Sequence, residues 1–317
     1  MVAIPRKTAV GTAHSKLILI GEHAVVYGKP AIALPFPAIE ARATIEELNN
    51  YKTILFESPY YSGHYDEIPD RMEGISVCIT ETLKYLKQKP EGLRISLEST
   101  IPLGRGLGSS AAIAISIVRG LFNYYRQALH DEKLTELVHL AETYAHGNPS
   151  GIDAAASSND HPIWFERGNP ITSLEIGYSF YLVVADTGRI GNTRGAVESI
   201  KEKYNLNKAK TEESLHAIEE NTFRAKVALI RGEIEVLGET LDVAQHELTL
   251  LGVSDSGINR LVSAAKDKGA LGAKLTGGGR GGCILALARD PQHAKELEAS
   301  LLAAGAFQTW SFKAGKN

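Results

Sequence analysis

Hydrophobic and polar positions change their period several times along this chain, and each change marks an element. Residues 16–20, KLILI, form a short apolar run with Lys16 at its edge; GEH follows, and AVVYGKPAIALPF resumes an apolar, β-branched pattern. That succession predicts strand, turn, strand. Around residues 41–57, ARATIEEL and YKTILFES predict further strands. Between 72 and 88, Ile75, Ile79, Leu83 and Leu86 recur near helical spacing, whereas LRISLES at 93–99 alternates with period two. After Ser110 the segment AAIAISIVRGLFNYYRQ is apolar almost all round, which marks a helix buried on most sides. Leu134, Leu137, Val138, Ala141 and Ala145 share one face of the next helix, which breaks at HGNPSG. SGIDAAASSN then predicts a second short helix with Ser150 as its cap. YSFYLVVADT at 178–187 is a buried-strand run, 211–268 is helical with turns near Gly232 and at LGVSDSG, and 269–288 reads strand, glycine loop, strand.

A chain of 317 residues exceeds the usual size of one core, so two lobes are expected, 1–177 and 178–317. Composition supports two globular cores, with 44% hydrophobic and 22% charged residues. A net charge of −3 disfavours nucleic acid and anionic membrane surfaces as partners, because both need a basic face. Cys78 and Cys283 lie far apart without CxxC spacing, so neither a disulfide framework nor a zinc cluster is expected and a reducing cytoplasm fits. The start, MVAIPRKTAVGTAHSK, lacks the apolar segment of a signal peptide, and no stretch approaches the ~20 apolar residues of a membrane span, which predicts a soluble cytoplasmic protein. Oligomeric state has no readable signature, and a homodimer is compatible with the chain.

Three stretches carry candidate chemistry. IPLGRGLGSSAA at 101–112 places Gly104, Gly106 and Gly108 just before the buried helix, where glycine lets backbone N–H groups approach a ligand and the helix N-terminus favours an anion such as phosphate. It matches neither GxxxxGK[ST] nor a full GxGxxG, and tight turns with Ser109 or Ser110 as helix cap remain an equal alternative on local grounds. Lys16, Glu22 and His23 are polar groups in an apolar setting, which makes a site more plausible than a set of surface charges. In AETYAHGNPSGIDAA, Glu142 lies one turn after Val138 and is expected to point inward, where a metal ion would satisfy it; Ser150 and Asp153 also match a capping box. KLTGGGRGGC at 274–283 is too glycine-rich for a strand or helix, and two such loops in one chain argue for an extended polyphosphate ligand.

With those stretches quoted, the chain resembles the mevalonate kinase family of the GHMP kinase superfamily. KLILIGEHAVVYGKPAIALP is similar to the family's first motif, IPLGRGLGSSAA to its nucleotide-phosphate loop, HGNPSGID to its catalytic segment and KLTGGGRGGC to its third motif, in the expected order over nearly the whole chain. GEHAVVYG and HGNPSGID are the more specific of these. The third motif departs from the TGAGGGG type of many members: Gly278 stands for the alanine and Arg280 interrupts the glycines, and this arginine is expected to reach either nucleotide phosphates or solvent.

The resemblance implies an α+β, two-lobed kinase with a left-handed βαβ crossover in its N-terminal nucleotide-binding lobe and a ferredoxin-like C-terminal lobe. It implies transfer of the ATP γ-phosphoryl group to the 5-hydroxyl of (R)-mevalonate, a step of isoprenoid biosynthesis, with Mg²⁺. By matching position, Pro102, Gly104, Gly106, Leu107, Gly108, Ser109, Ser110 and Ala111 contact the nucleotide; Ser110 and Glu142 hold the metal; Asp153 and Lys16 are catalytic. Glu22, His23, Ser150, Thr193 and Gly277 line the substrate side. Rival readings are a kinase for phosphomevalonate, galactose or homoserine, a metabolite sensor without turnover, and an RNA-binding protein, the last disfavoured by the acidic balance.

Overall fold

In the computed structural model, residues 7–49, 51–146 and 149–315 are described; the first six residues, and Gly147 and Asn148 of the HGNPSGID segment, lie outside them. Internal contacts divide the chain into two units: one runs up to Ser15 and includes Ile39–Pro102 and Gly108–Ser158, and the other comprises Lys16–Ala38, Leu103–Leu107 and the chain from Asn159 onward.

The first unit holds the start of β1 (Thr8–Ile20), the second half of β2 (Ala31–Glu47), β3 (Ile54–Ser58), β4 (Tyr61–His64) and β5 (Leu93–Ser99). β5 has the predicted bounds and buries every second residue (Leu93, Ile95, Leu97), as period two requires. It pairs antiparallel with β2 and parallel with β3, and α1 (Glu73–Tyr85) makes the connection that a parallel pair needs. α2 (Ser109–Tyr125) buries residues on all sides, including the consecutive Ala111, Ala112, Ile113 and Ala114. Its neighbours explain why: α1, α3 (Asp131–His146) and α4 (Ile152–Ser158) all pack against it.

The second unit is built on β8 (Phe180–Asp186), β9 (Gly272–Thr276), β10 (Cys283–Ala288) and β11 (Gln308–Ala314), in the order β11-β8-β10-β9 with antiparallel pairs throughout. Helices α5 (Thr193–Leu206), α6 (Lys208–Arg231), α7 (Ile234–Leu250) and α8 (Ser256–Asp267) fall between the first two strands, and α9 (Pro291–Ala303) between the last two. Counting only those strands, this is the 4-1-3-2 order of a ferredoxin-like sheet. Both faces are covered, which is why YSFYLVVADT reads as a continuous apolar run: Val183 and Ala185 enter one core with Ile200, Leu215 and Leu261, while Phe180 and Leu182 enter another with Leu19, Ile32, Leu229 and Leu241. β6 (Ile163–Phe165) extends the β2 end of this unit, with β7 (Thr172–Ser173) paired to it.

Three predicted segments change. β1 and β2 are much longer than the apolar runs that announced them, because β1 continues through alternating residues from Thr8 and β2 runs unbroken past Pro35 and Pro37. Ala24–Tyr27, predicted as strand, is a 3₁₀ turn closed by Gly28 at φ 77°. Helical structure begins at Thr193 instead of 211, since Asn192 accepts from Gly195 N–H and caps a helix whose polar sequence concealed it. Among the described residues no helix is long and apolar enough to cross a membrane.

Candidate active site

In the first unit, α2 starts immediately after Gly108, whose φ of 73° is left-handed, and no side chain caps it. The capping alternative for the two serines is excluded. Ser110 Oγ donates to Glu142 Oε1, and Ser109 Oγ is buried without a hydrogen-bond partner among the described residues. The first N–H groups of a buried helix are thus left to an anion, with the partial positive charge of the helix end behind them. Glu142 points inward as expected, at 4% exposure, so a carboxylate and a hydroxyl sit together below an open helix start.

Asp153 lies half-buried in the first turn of α4, but not as a capping-box residue. That box needs Ser150 as cap and Asp153 at the third helical position. The first bond of α4 instead joins Ala155 N–H to Gly151 O, with Gly151 at φ 88°, so Ser150 precedes the cap position and Asp153 is second.

The second unit brings the two glycine-rich stretches together. Gly104 and Gly106 have φ of 68° and 77°. A Cβ on Gly277 would lie 2.8 Å from Gly106 Cα, so these backbones touch where no side chain fits. Gly104 O accepts from Gly191 N–H at 2.8 Å, and Leu107 O from Lys16 N–H at 3.2 Å. Lys16, inside β1 and 1% exposed, donates from Nζ to Gly106 O at 3.0 Å. The predicted catalytic lysine is therefore bonded to the predicted phosphate loop. Glu22 and His23 follow on the tight turn after β1. Glu22 Oε1 accepts from Lys274 Nζ, both side chains being buried, while Glu22 Oε2 has no hydrogen-bond partner among the described residues. Burial pushes the Glu22 carboxyl up, against the pull of Lys274 and Lys16; the same burial pushes the Lys274 ammonium down.

His23 takes φ 62°, a strained conformation for a residue with a side chain. Its Nε2 lies 3.0 Å from Gly278 O, and a ring nitrogen facing a carbonyl must donate, which leaves Nδ1 as acceptor in the neutral ring. Burial, with the charges of Lys274 and Arg280, holds the imidazole down to about 4, so it is neutral at physiological pH. Thr193 is exposed at the start of α5.

Two residues of this unit escaped the sequence reading. Lys274 was visible only as a lysine within the apolar strand GAKLT, and Arg105 as a cation inside a glycine run. Arg105 Nε donates to Asp186 Oδ2 at 3.0 Å, anchoring the loop to the end of β8. Arg280 does not simply reach solvent, because its Nε donates to Gly252 O and its Nη1 to Gly195 O.

Comparisons with known proteins agree with this anatomy. The family described as GHMP kinases N terminal domain matches residues 77–160, and GHMP kinases C terminal matches 225–306. A mevalonate kinase of Pyrococcus furiosus is 32% identical, covering 93% of each chain. The chain belongs to the GHMP kinase family. Among solved GHMP kinase structures, a mevalonate kinase from Staphylococcus aureus is 31% identical, with a TM-score of 0.73 over 98% of this chain and 100% of that one. Leishmania major mevalonate kinase in complex with R-mevalonate superimposes with a TM-score of 0.85 over 99% and 97% of the chains; at 24% identity it speaks for the fold alone.

Proposed function

We propose that this GHMP kinase transfers the γ-phosphoryl group of ATP to the 5-hydroxyl of (R)-mevalonate, giving 5-phosphomevalonate for isoprenoid synthesis. The observation that carries kinase chemistry is the Ser110–Glu142 contact at the uncapped start of α2, which follows the glycine stretch in sequence. Phosphoryl transfer asks a protein for charge neutralisation, in-line placement and an oriented hydroxyl, with little covalent work. The acceptor is supported by relatives named mevalonate kinase at 31–33% identity over most of the chain.

The Ser110–Glu142 pair fits Mg²⁺. It offers two hard oxygens, one of them anionic and buried, and Mg²⁺ completes its shell with water and phosphate oxygens instead of a full protein cage. Bound there, the ion supplies neutralisation of phosphate charge. In the first unit, Asp153 orients the acceptor hydroxyl and takes its proton. In the second, Lys16 offsets negative charge as the oxygen attacks, while Glu22 Oε2 and His23 Nδ1 offer acceptors to substrate hydroxyls. Thr193, Ser150 and Gly277 complete the substrate side, and 102–111 the nucleotide side. The two family matches fall on either side of 177/178, which supports reading 1–177 as the nucleotide-binding lobe and 178–317 as the C-terminal lobe.

The test is ADP release from purified protein with MgATP and, separately, mevalonate, phosphomevalonate, galactose or homoserine. Turnover with mevalonate is expected. Preference for another acceptor overturns the substrate assignment, and binding of ATP without turnover favours a sensor.

A further inference from the structure

Arg280 sits in a glycine run at φ 54°, a conformation that a residue with a Cβ keeps only where its surroundings hold it. Three bonds do so. Its N–H donates to Val253 O at 2.8 Å, Nε to Gly252 O at 3.2 Å and Nη1 to Gly195 O at 3.1 Å. One planar fork thus joins two carbonyls from separate segments, a geometry suited to guanidinium and poorly reproduced by an ammonium. Gly195 belongs to the first turn of α5, the turn that begins with Thr193.

Gly278 bounds the same turn from the other side. A Cβ built on it would lie 2.1 Å from Thr193 Oγ1 and 2.8 Å from Thr193 Cα. Its backbone is not among the positive-φ glycines, so the nearness of Thr193, not conformation, excludes a side chain. The carbonyl of Gly278 accepts from His23. One glycine therefore touches both His23 and Thr193, and Arg280, two residues on, ties down the turn that carries Thr193.

We propose that Arg280 is a positioning residue: it latches the first turn of α5 onto Gly278 and so sets Thr193 and His23 in register on the acceptor side. The acceptor role rests on the function proposed above; the latch itself does not. Arg280→Gly relieves backbone strain while removing the latch, so melting temperature is a poor witness. Hydrogen exchange and kinetics are better ones.

In Arg280→Gly, amides 194–196 should exchange about tenfold faster, and KM for mevalonate should rise about five- to tenfold with kcat within about twofold. Arg280→Lys should recover only part of this, since one ammonium cannot replace the fork. Gly278→Ala should raise KM about tenfold with Arg280 present but within about twofold in the Arg280→Gly background, where the turn can move away. Unchanged exchange, or the same rise in KM from Gly278→Ala in both backgrounds, overturns the latch. Faster exchange of amides 194–196 in Arg280→Gly with KM for mevalonate unmoved in every variant supports the latch and overturns the acceptor role of Thr193.

Discussion

Ser110 and Glu142 in the first unit, and Lys16, Glu22, His23 and Lys274 in the second, are all polar groups drawn from apolar stretches, yet the two sets are finished differently. In the second unit charge meets charge within the protein, Lys274 on Glu22 and Arg105 on Asp186, and the neutral His23 ring meets the Gly278 carbonyl. In the first, the buried Glu142 carboxylate accepts from the Ser110 hydroxyl, so two hard oxygens lie together. Lys274 and Glu22 are preorganised as each other's counter-ions, whereas Ser110 and Glu142 present the pair of hard oxygens on which the proposed Mg²⁺ site rests. Phosphoryl transfer uses both kinds of group: fixed dipoles and ammonium groups where charge develops, and an anionic ligand where a metal comes and goes with nucleotide.

That contrast can be broken at several points. Asp153→Asn, which keeps shape and removes the proton acceptor, should lower turnover by about 10²–10⁴ with nucleotide affinity nearly unchanged; turnover near normal in steady-state assays would remove Asp153 from the chemistry. Lys274→Met strands a buried carboxylate and should cost about 3–5 kcal/mol in urea unfolding, most of it regained in Glu22→Gln/Lys274→Met. Simple additivity of those two variants contradicts the preorganised pair.

His23 gives a pH test. Its folded-state pKa of about 4 lies below the ordinary 6.5, so both states are neutral above about pH 7 and the unfolded state gains the proton first as pH falls. Stability should therefore drop between pH 6.5 and 4, by up to about 3 kcal/mol. The loss should be smaller in His23→Gln; equal losses in both proteins exclude this source. Smallest of all, Ser109→Ala removes a buried unpartnered hydroxyl and should leave stability unchanged or raise it by up to about 1 kcal/mol. A clear fall in melting temperature means the hydroxyl is bonded.

Much of the site was legible because its signals are local. A strand into a glycine stretch into an all-apolar helix marked the loop, although the serine-cap alternative stood equal to it until the helix start proved uncapped, and the inward turn of Glu142 follows from its spacing after Val138. The buried sheet strands were equally plain. Polar helices at 193–210 were missed because apolar periodicity there is weak and the cap, Asn192, lies in what reads as a loop. The capping box at Ser150–Asp153 failed by one residue, because Gly151 with positive φ takes the cap position and local pattern cannot register that shift. Lys274 and Arg280 were beyond reach for another reason: what a buried lysine pairs with, or which carbonyls an arginine finds, depends on contacts across 252 and 85 residues of sequence.

The central proposal, that Ser110 and Glu142 hold Mg²⁺ for the nucleotide, is tested most directly by titrating ATP into wild type and Glu142→Gln with and without Mg²⁺. Wild type should bind ATP more tightly with Mg²⁺, by about tenfold or more, and Glu142→Gln should lose that gain while binding metal-free ATP as before. An undiminished Mg²⁺ dependence in Glu142→Gln would contradict the account.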